Sequence, residues 1–341
     1  MTSDPPLPER GREILLVSRP SGEPVPTDFA TVEVALPLPG PGQVLVRNSW
    51  LSVDPYMRGK MNAGPSYSPP YELGEVMSGR AVGEVVRSED PDLPVGTTVR
   101  HLKGWREYAL LEAGEARPVD VDRAPAEAYL GALGMPGVTA YAALTRVAQV
   151  EPGDVVFISA AAGAVGLAAC RIARHRGAAR IVGSAGGREK VDRLVAELGF
   201  DAAIDRRQGD IAAQLADAAP EGIDVYLDNV GGEHLQAAIA SARPFGRVAL
   251  CGSIAGYNRT DGGAAGLHDL SSAVGKRLTL RGFIASDHAD LADEWEALAA
   301  GWLADGSLRS ESTVSEGLDS AVAAFLGLFQ GMNTGKMLVR L

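Results

Sequence analysis

The residues with the clearest chemical signature are the small ones between Ile158 and Gly166. The run VVFISAAAGAVGLAACRIARHRG, from Val155, sets an apolar strand directly before A-x-G-x-x-G and follows it with an apolar-periodic helix. In that context the spacing suits a dinucleotide. Gly163 lets the backbone approach a pyrophosphate, Gly166 allows the helix to pack closely, and the helix N-terminus presents free N–H groups and the positive end of its dipole to an anion. Ala162, Gly163, Ala164, Val165 and Gly166 are therefore candidate cofactor contacts. Ala161 stands where the usual pattern has its first glycine, so the six positions alone are equally compatible with a plain strand-to-helix turn; the flanking strand and helix favour the cofactor.

The end of the second strand selects between nicotinamide cofactors, because an acidic residue there would bond the adenosine ribose 2′-hydroxyl. Here the chain reads IVGSAGGREK, with Ser184 at that position and Gly186, Gly187, Arg188 and Lys190 behind it. With no carboxylate to repel it and cations close by, a 2′-phosphate would be held by charge-assisted hydrogen bonds. NADPH/NADP+ is the expected cofactor, with Ser184, Gly186 and Lys190 in its site. A solvated first helical turn would also carry such cations, but cations oppose the dipole at a helix start and need another reason to be there.

These residues must be positioned by regular elements. From about Arg12 to Leu111 short apolar and alternating runs broken by Pro and Gly predict a β-barrel or sandwich. From about Ala124 apolar strands alternate with helical stretches: Val155 to Ser159, Arg180 to Ser184, Ala202 to Ile204, Val225 to Asp228, Arg247 to Cys251 and Leu278 to Ile284. That alternation predicts a doubly wound parallel sheet covered on both faces. A helix around Leu318 to Phe329 and a last strand, MLVRL, return to the first domain, giving expected boundaries of 1–123, 124–308 and 309–341.

Bulk properties narrow the function. A chain of 341 residues accommodates two domains, and a net charge of −11 disfavours a nucleic-acid surface. No apolar run has transmembrane length, and the N-terminus lacks the basic-then-apolar order of a signal peptide and reads as a short frayed tail. Only two cysteines occur, Cys170 and Cys251, read as buried free thiols in a helix and a strand, which fits a reducing cytoplasm. The histidines (His101, His175, His234, His268, His288) are scattered without ligand spacing, so no zinc site is expected.

Seven ordered motifs resemble one family over nearly the whole chain: LSVDPYMRG at Leu51–Gly59, MPGVTAYAAL at Met135–Leu144, ISAAAGAVG at Ile158–Gly166, AGGREKVDRLVAELGFDAAID at Ala185–Asp205, GIDVYLDNVGG at Gly222–Gly232, GRVALCGSIAGYN at Gly246–Asn258, and EGLDSAVAAFLGLFQGMNTGKMLVRL at the C-terminus. The chain resembles the zinc-free medium-chain dehydrogenase/reductases, in the group of leukotriene B4 dehydrogenase, prostaglandin reductase and the curcumin and alkenal double-bond reductases. The resemblance implies a GroES-like β-barrel domain joined to a Rossmann domain, an active site in the cleft between them, a homodimer, and NADPH-dependent reduction of the carbon–carbon double bond of α,β-unsaturated ketones and aldehydes.

By the same resemblance a lysine and a tyrosine hold the 2′-phosphate; they correspond to Lys190 and to Arg206, where arginine departs from the pattern but suits a phosphate. Asn229 and Asn333 match asparagines near the nicotinamide and its ribose, Thr139 a cofactor-contacting threonine, and Tyr257 a tyrosine near the nicotinamide and the substrate carbonyl. Taken alone, the asparagines would pass as turn residues, Thr139 as a helix N-cap and Tyr257 as packing. Cys251 and Phe283, in the fifth and sixth strands, complete the candidate cofactor contacts. Tyr56 is a candidate catalytic or pocket-wall residue beside Tyr257, whereas Arg58 reads as structural. Hydride passes from the cofactor to the β-carbon, charge moves to the carbonyl oxygen, and Tyr257 and the ribose 2′-hydroxyl are its expected donors. Quinone reduction and non-catalytic NADPH binding remain alternatives. The substrate, an enone of unspecified size, is expected to be shaped by 60–72 and 257–270.

Overall fold

Parallel strands covered on both faces read as nearly continuous apolar runs, as VVFI at Val155–Ile158 does. In the computed structural model, which describes residues 7–64, 66–260 and 270–341, the second half of the chain forms six strands. They are β1 (Val155–Ile158), β2 (Arg180–Ala185), β3 (Ala202–Asp205), β4 (Ile223–Asp228), β5 (Ala242–Leu250) and β6 (Thr279–Gly282). All are parallel, in the order β3-β2-β1-β4-β5-β6. The order reverses between β1 and β4, the point at whose C-terminal strand ends ligands bind in such sheets. The helices are α1 (Met135–Ala142), α2 (Ala164–His175), α3 (Arg188–Ala196), α4 (Ile211–Ala218), α5 (Gly232–Ser241), α6 (Ser271–Lys276) and α7 (Ala292–Ala304). This is the Rossmann arrangement.

Its core follows from the register. Phe157 and Tyr226 are partners across β1 and β4, and their rings stack 4.9 Å apart. Val182, Ile204, Leu215, Ala237 and Ala238 close over them. The edge strand β6 is largely exposed and shorter than the expected Leu278 to Ile284, so Phe283 lies beyond it.

The other unit is antiparallel. Arg10–Leu16 pairs with Phe29–Ala35. A ten-residue strand, Gln43–Ser52, pairs along one side with Ala81–Ser88. Its other side is shared: Tyr108–Glu112 covers Gln43 to Arg47, and the terminal strand Lys336–Arg340 covers Trp50 to Ser52. Thr98–His101, Arg117–Pro118 and Ser312–Glu316 complete this seven-stranded GroES-like barrel sheet. In its core Trp105 stacks on Phe29, with Phe325 set edge-on to both, among Ile14, Leu16, Met57 and Met77.

One compact unit takes the chain up to Leu130 with Thr313–Gln330 and Met337–Leu341; the other is Gly131–Ser312 with Gly331–Lys336. The returning segment thus differs from the expected 309–341: ten of its residues, 309–312 and Gly331–Lys336, join the Rossmann unit, where the Gly335 N–H donates to the Ala162 carbonyl at 2.7 Å. Among the described residues no helix is long and apolar enough to cross a membrane. The first six residues of the expected tail, Pro65 in the expected 60–72 stretch, and 261–269 in the expected 257–270 stretch lie outside the described residues.

Candidate functional site

The glycine turn is built for close approach. Gly163 is the N-cap of α2 with extended backbone, so the first helical amides, Ala164 to Gly166, lie where a helix has no acceptor of its own for them. A Cβ on Gly166 would stand 2.5 Å from the Ala161 carbonyl oxygen, so only glycine fits between α2 and the end of β1. Ala161 is fully buried, and its N–H donates to the Ser184 carbonyl at 2.8 Å. The left-handed residue of this turn is its neighbour Ala160, φ 49°, so position 161 does not need a glycine.

At the end of β2, Ser184 is 1% exposed and its hydroxyl has no protein partner. The Arg206 guanidinium takes the space a side chain on Gly186 would fill, its Nε 2.9 Å from where a Cβ would stand, and that of Arg207 sits 3.3 Å from the same point on Gly187. Asp205 anchors the turn by accepting from the N–H groups of Gly187 (2.8 Å) and Arg207 (3.0 Å). Burial works to raise its pKa, but these donors and the two arginine charges outweigh it and hold the carboxyl below its ordinary range. Lys190 lies half-buried in the first turn of α3, its pKa lowered by burial and then by Arg207 and Arg206. Its ammonium donates to the carbonyls of Gly331 (2.8 Å) and Asn333. Arg188 does not join them: it is solvent-exposed and pairs with Asp192 at 3.4 Å. His234, buried in α5, has an unpartnered Nε2 and a pKa lowered to about 4 by burial and by Arg206.

A second polar group occupies the ends of β1, β4 and β5. Asp228, 1% exposed, accepts from the Tyr226 hydroxyl (2.7 Å) and from the N–H groups of Val230 (3.0 Å) and Gly231 (2.8 Å). Burial raises its pKa against the pull of those donors. Asn229 is fixed to Ser159 twice: its N–H donates to the hydroxyl at 2.9 Å and its side-chain amide to the carbonyl at 2.7 Å. The amides of Cys251 and Gly252 donate to the Asp228 carbonyl, which draws the loop after β5 onto the loop after β4. Tyr257 folds back over that loop, its hydroxyl accepting from the Ser253 N–H at 3.4 Å. Burial raises the Tyr257 pKa, so the phenol keeps its proton at neutral pH. The sequence reading missed Ser159, Tyr226, Asp228 and Arg207; the detectable signal was a carboxylate closing an apolar strand, YLD, immediately before Asn-Val-Gly-Gly.

Two expectations about strand ends change, for Cys251 and Phe283, and the alternative reading of Thr139 falls. Thr139 is not a helix cap: α1 is capped by Gly134, and the Thr139 hydroxyl donates to the Met135 carbonyl at 2.7 Å. Cys251 follows β5 instead of ending it and is partly exposed, though its thiol is pushed up to about 12 by burial and Asp228. Phe283 lies beyond β6, its ring 6.1 Å from His288. Asn333 is bonded locally, donating from its side chain to the Gly335 carbonyl at 2.9 Å.

In the barrel unit Tyr56 opens a five-residue helix, Tyr56–Lys60, and packs against the main core of that unit. Burial, then Asp54, raises its pKa. Beside it the Tyr71 hydroxyl donates to the Ser78 carbonyl at 2.7 Å, and Lys60 lies 4.5 Å over the Tyr71 ring. Arg58 is buried and bonds Asn62 and the Gly22 carbonyl, a structural use.

The Rossmann unit's residues fit NADPH. The orphaned Ser184 hydroxyl, the cradle that a Cβ on Gly166 would fill, the α2 N-terminus and the Lys190, Arg206 and Arg207 cations supply groups for a ribose, a pyrophosphate and a 2′-phosphate. Fold and cluster together define a dinucleotide-dependent oxidoreductase of the medium-chain type. Residues 12–119 match the family described as the N-terminal domain of oxidoreductase, and residues 164–303 that described as zinc-binding dehydrogenase. The chain is 38% identical to the NADPH-dependent curcumin reductase of Escherichia coli (strain K12) over 97% of both chains. It is 36% identical to the NADP(+)-dependent 2-alkenal reductase of Nicotiana tabacum over 96% of both. It also matches the crystal structure of CurA in complex with NADPH from Vibrio vulnificus, with TM-score 0.91 at 37% identity over 96% of this chain and 98% of that one. The chain belongs to the zinc-free medium-chain dehydrogenase/reductases, in the prostaglandin, curcumin and alkenal reductase group, and is an NADP-dependent oxidoreductase with NADPH as its cofactor. Among the described residues no three His, Cys, Asp or Glu side chains are grouped to hold a metal ion.

Proposed function

We propose that the protein reduces the carbon–carbon double bond of α,β-unsaturated ketones and aldehydes. The observation that carries this reading is the Tyr257 hydroxyl, which accepts from the Ser253 N–H and so keeps its own proton to donate. The names of the relatives, a curcumin reductase and a 2-alkenal reductase, support it. When bound, NADPH supplies the hydride for the β-carbon. Tyr257 donates a hydrogen bond to the carbonyl oxygen as negative charge reaches it, which stabilises charge that is absent from the ground state, and the resulting enolate takes a proton from water at the α-carbon to give the saturated product. Asn229, fixed by Ser159, and Asn333 orient the cofactor; Ser184, Lys190 and Arg206 hold its adenosine end; Ala162, Gly163, Ala164, Val165 and Gly166 take the pyrophosphate. Thr139, Cys251 and Phe283 are further cofactor contacts in this reading, and Tyr56 forms part of the substrate wall.

The test is consumption of NADPH, followed by its absorbance, with short alkenals and benzylideneacetone against a panel of quinones. Enone turnover with a saturated ketone or aldehyde as product is expected. Consumption with quinones alone would replace this reading by quinone reduction.

A further inference from the structure

We infer that Lys190 is a positioning residue that couples recognition of the 2′-phosphate to the order of the segment bearing Asn333. This rests on the reading of the Lys190 cluster as the 2′-phosphate end of the cofactor site. An ammonium has three N–H donors and no acceptor. Two of the Lys190 donors are used on the carbonyls of Gly331 and Asn333, which leaves the third for a phosphate oxygen. The segment Gly331–Lys336 is therefore stitched to the Rossmann unit at two places. Lys190 ties its start to α3, and Gly335 ties its end to the glycine turn by donating to the Ala162 carbonyl at 2.7 Å. The second tie needs a glycine: Gly335 has φ 67°, and a Cβ there would stand 2.0 Å from the Glu311 carbonyl oxygen.

The surroundings of the first tie point to what strengthens it. Arg206 reaches both sides of it, against Gly186 and with its Nη2 3.7 Å from where a Cβ on Gly331 would stand, and Arg207 lies against Gly187. Three like charges around one Gly-Gly turn repel each other, and a phosphate dianion among them offsets that repulsion while leaving the two carbonyl bonds in place. A lysine that served the phosphate alone would be indifferent to a cofactor lacking it. A lysine that also holds Gly331 and Asn333 matters to both cofactors.

The experiment compares wild type, Lys190→Gln and Arg206→Gln in the full-length protein, measuring dissociation constants for NADPH, NADH and 2′-AMP by calorimetry and amide hydrogen exchange over 331–336. In wild type, 2′-AMP alone is expected to slow exchange in this segment. Lys190→Gln should weaken NADPH on the order of 100-fold and NADH by roughly tenfold, and should speed exchange at 331–336 without any ligand. Arg206→Gln should weaken NADPH and leave NADH as it was. Unchanged NADH affinity and unchanged exchange in Lys190→Gln would overturn the coupling and leave Lys190 as a phosphate ligand only. Should that variant not fold, wild type decides alone: 2′-AMP binding without protection of 331–336 overturns the inference. Failure of wild type to bind NADPH or 2′-AMP overturns the underlying cofactor site as well, so the two failures are distinguishable.

Discussion

Tyr257 and His101 show how a side chain's hydrogen-bond partners set its proton chemistry. Tyr257 accepts from a backbone N–H, so its hydroxyl proton is directed elsewhere. Tyr257→Phe should lower kcat for enones on the order of 100- to 1000-fold, as the loss of one oxyanion donor does, and should change the NADPH dissociation constant by much less. Steady-state kinetics with fluorescence titration of NADPH checks this, and undiminished turnover would remove Tyr257 from the reaction. His101, buried in the barrel, bonds Asn48 Oδ1 through Nε2 (2.8 Å) and accepts the Lys103 N–H at Nδ1 (3.1 Å). These partners assign the proton to Nε2, and a second proton would break the Nδ1 bond. Burial, with Arg106 and Lys103, lowers its pKa from 6.5 to about 3. A depressed folded pKa means that this stability is fully present above 6.5 and drains away as pH falls toward 3. The loss should reach roughly 3 kcal/mol by pH 4. Urea unfolding from pH 8 to pH 4 should therefore fall more steeply for wild type than for His101→Gln; parallel curves would show that His101 does not contribute.

At the scale of elements, the strand-turn-helix from Val155 was legible because its chemistry is local: apolar β1, small turn residues and a periodic α2 are consecutive in the chain. Gly166 shows the tolerance of that unit. Gly166→Ala places a methyl against the Ala161 carbonyl at 2.5 Å, and α2 must shift to accept it. The expected cost is about 1–3 kcal/mol of stability, with weaker NADPH binding because the helix N-terminus moves with α2. Thermal unfolding and NADPH titration measure both, and a variant equal to wild type in each would mean the turn adapts freely. Strand ends were less legible. Sequence extended the sixth strand to Ile284, whereas β6 stops at Gly282 because its one partner, β5, ends at Leu250 opposite it. Taken alone Thr139 would pass as a cap because Thr caps helices, but the helix already begins at Met135.

For the whole molecule, a net charge of −11 coexists with a local cationic cluster of Lys190, Arg206 and Arg207. The protein's average charge therefore says little about the anion it binds. We propose a homodimer, supported by the exposed edge strand β6, on whose outer side no strand is paired among the described residues. Light scattering should give twice the 35.5 kDa chain mass, and a charged or proline substitution at Leu280 should lower it if β6 is the pairing edge; a monomer in wild type would dispose of the dimer. Sequence by itself determined the alternation of strands and helices, the dinucleotide turn and the lack of an acidic residue at Ser184, since each depends on neighbours within a few positions. Only tertiary structure decided that Arg207, rather than Arg188, joins Lys190 and Arg206, that Ser159 braces Asn229, and that residues 331–336 belong with the Rossmann unit. Those groupings arise from strands adjacent in space but distant in the chain, where hydrogen-bond and charge partners are chosen by the sheet's order and not by sequence spacing.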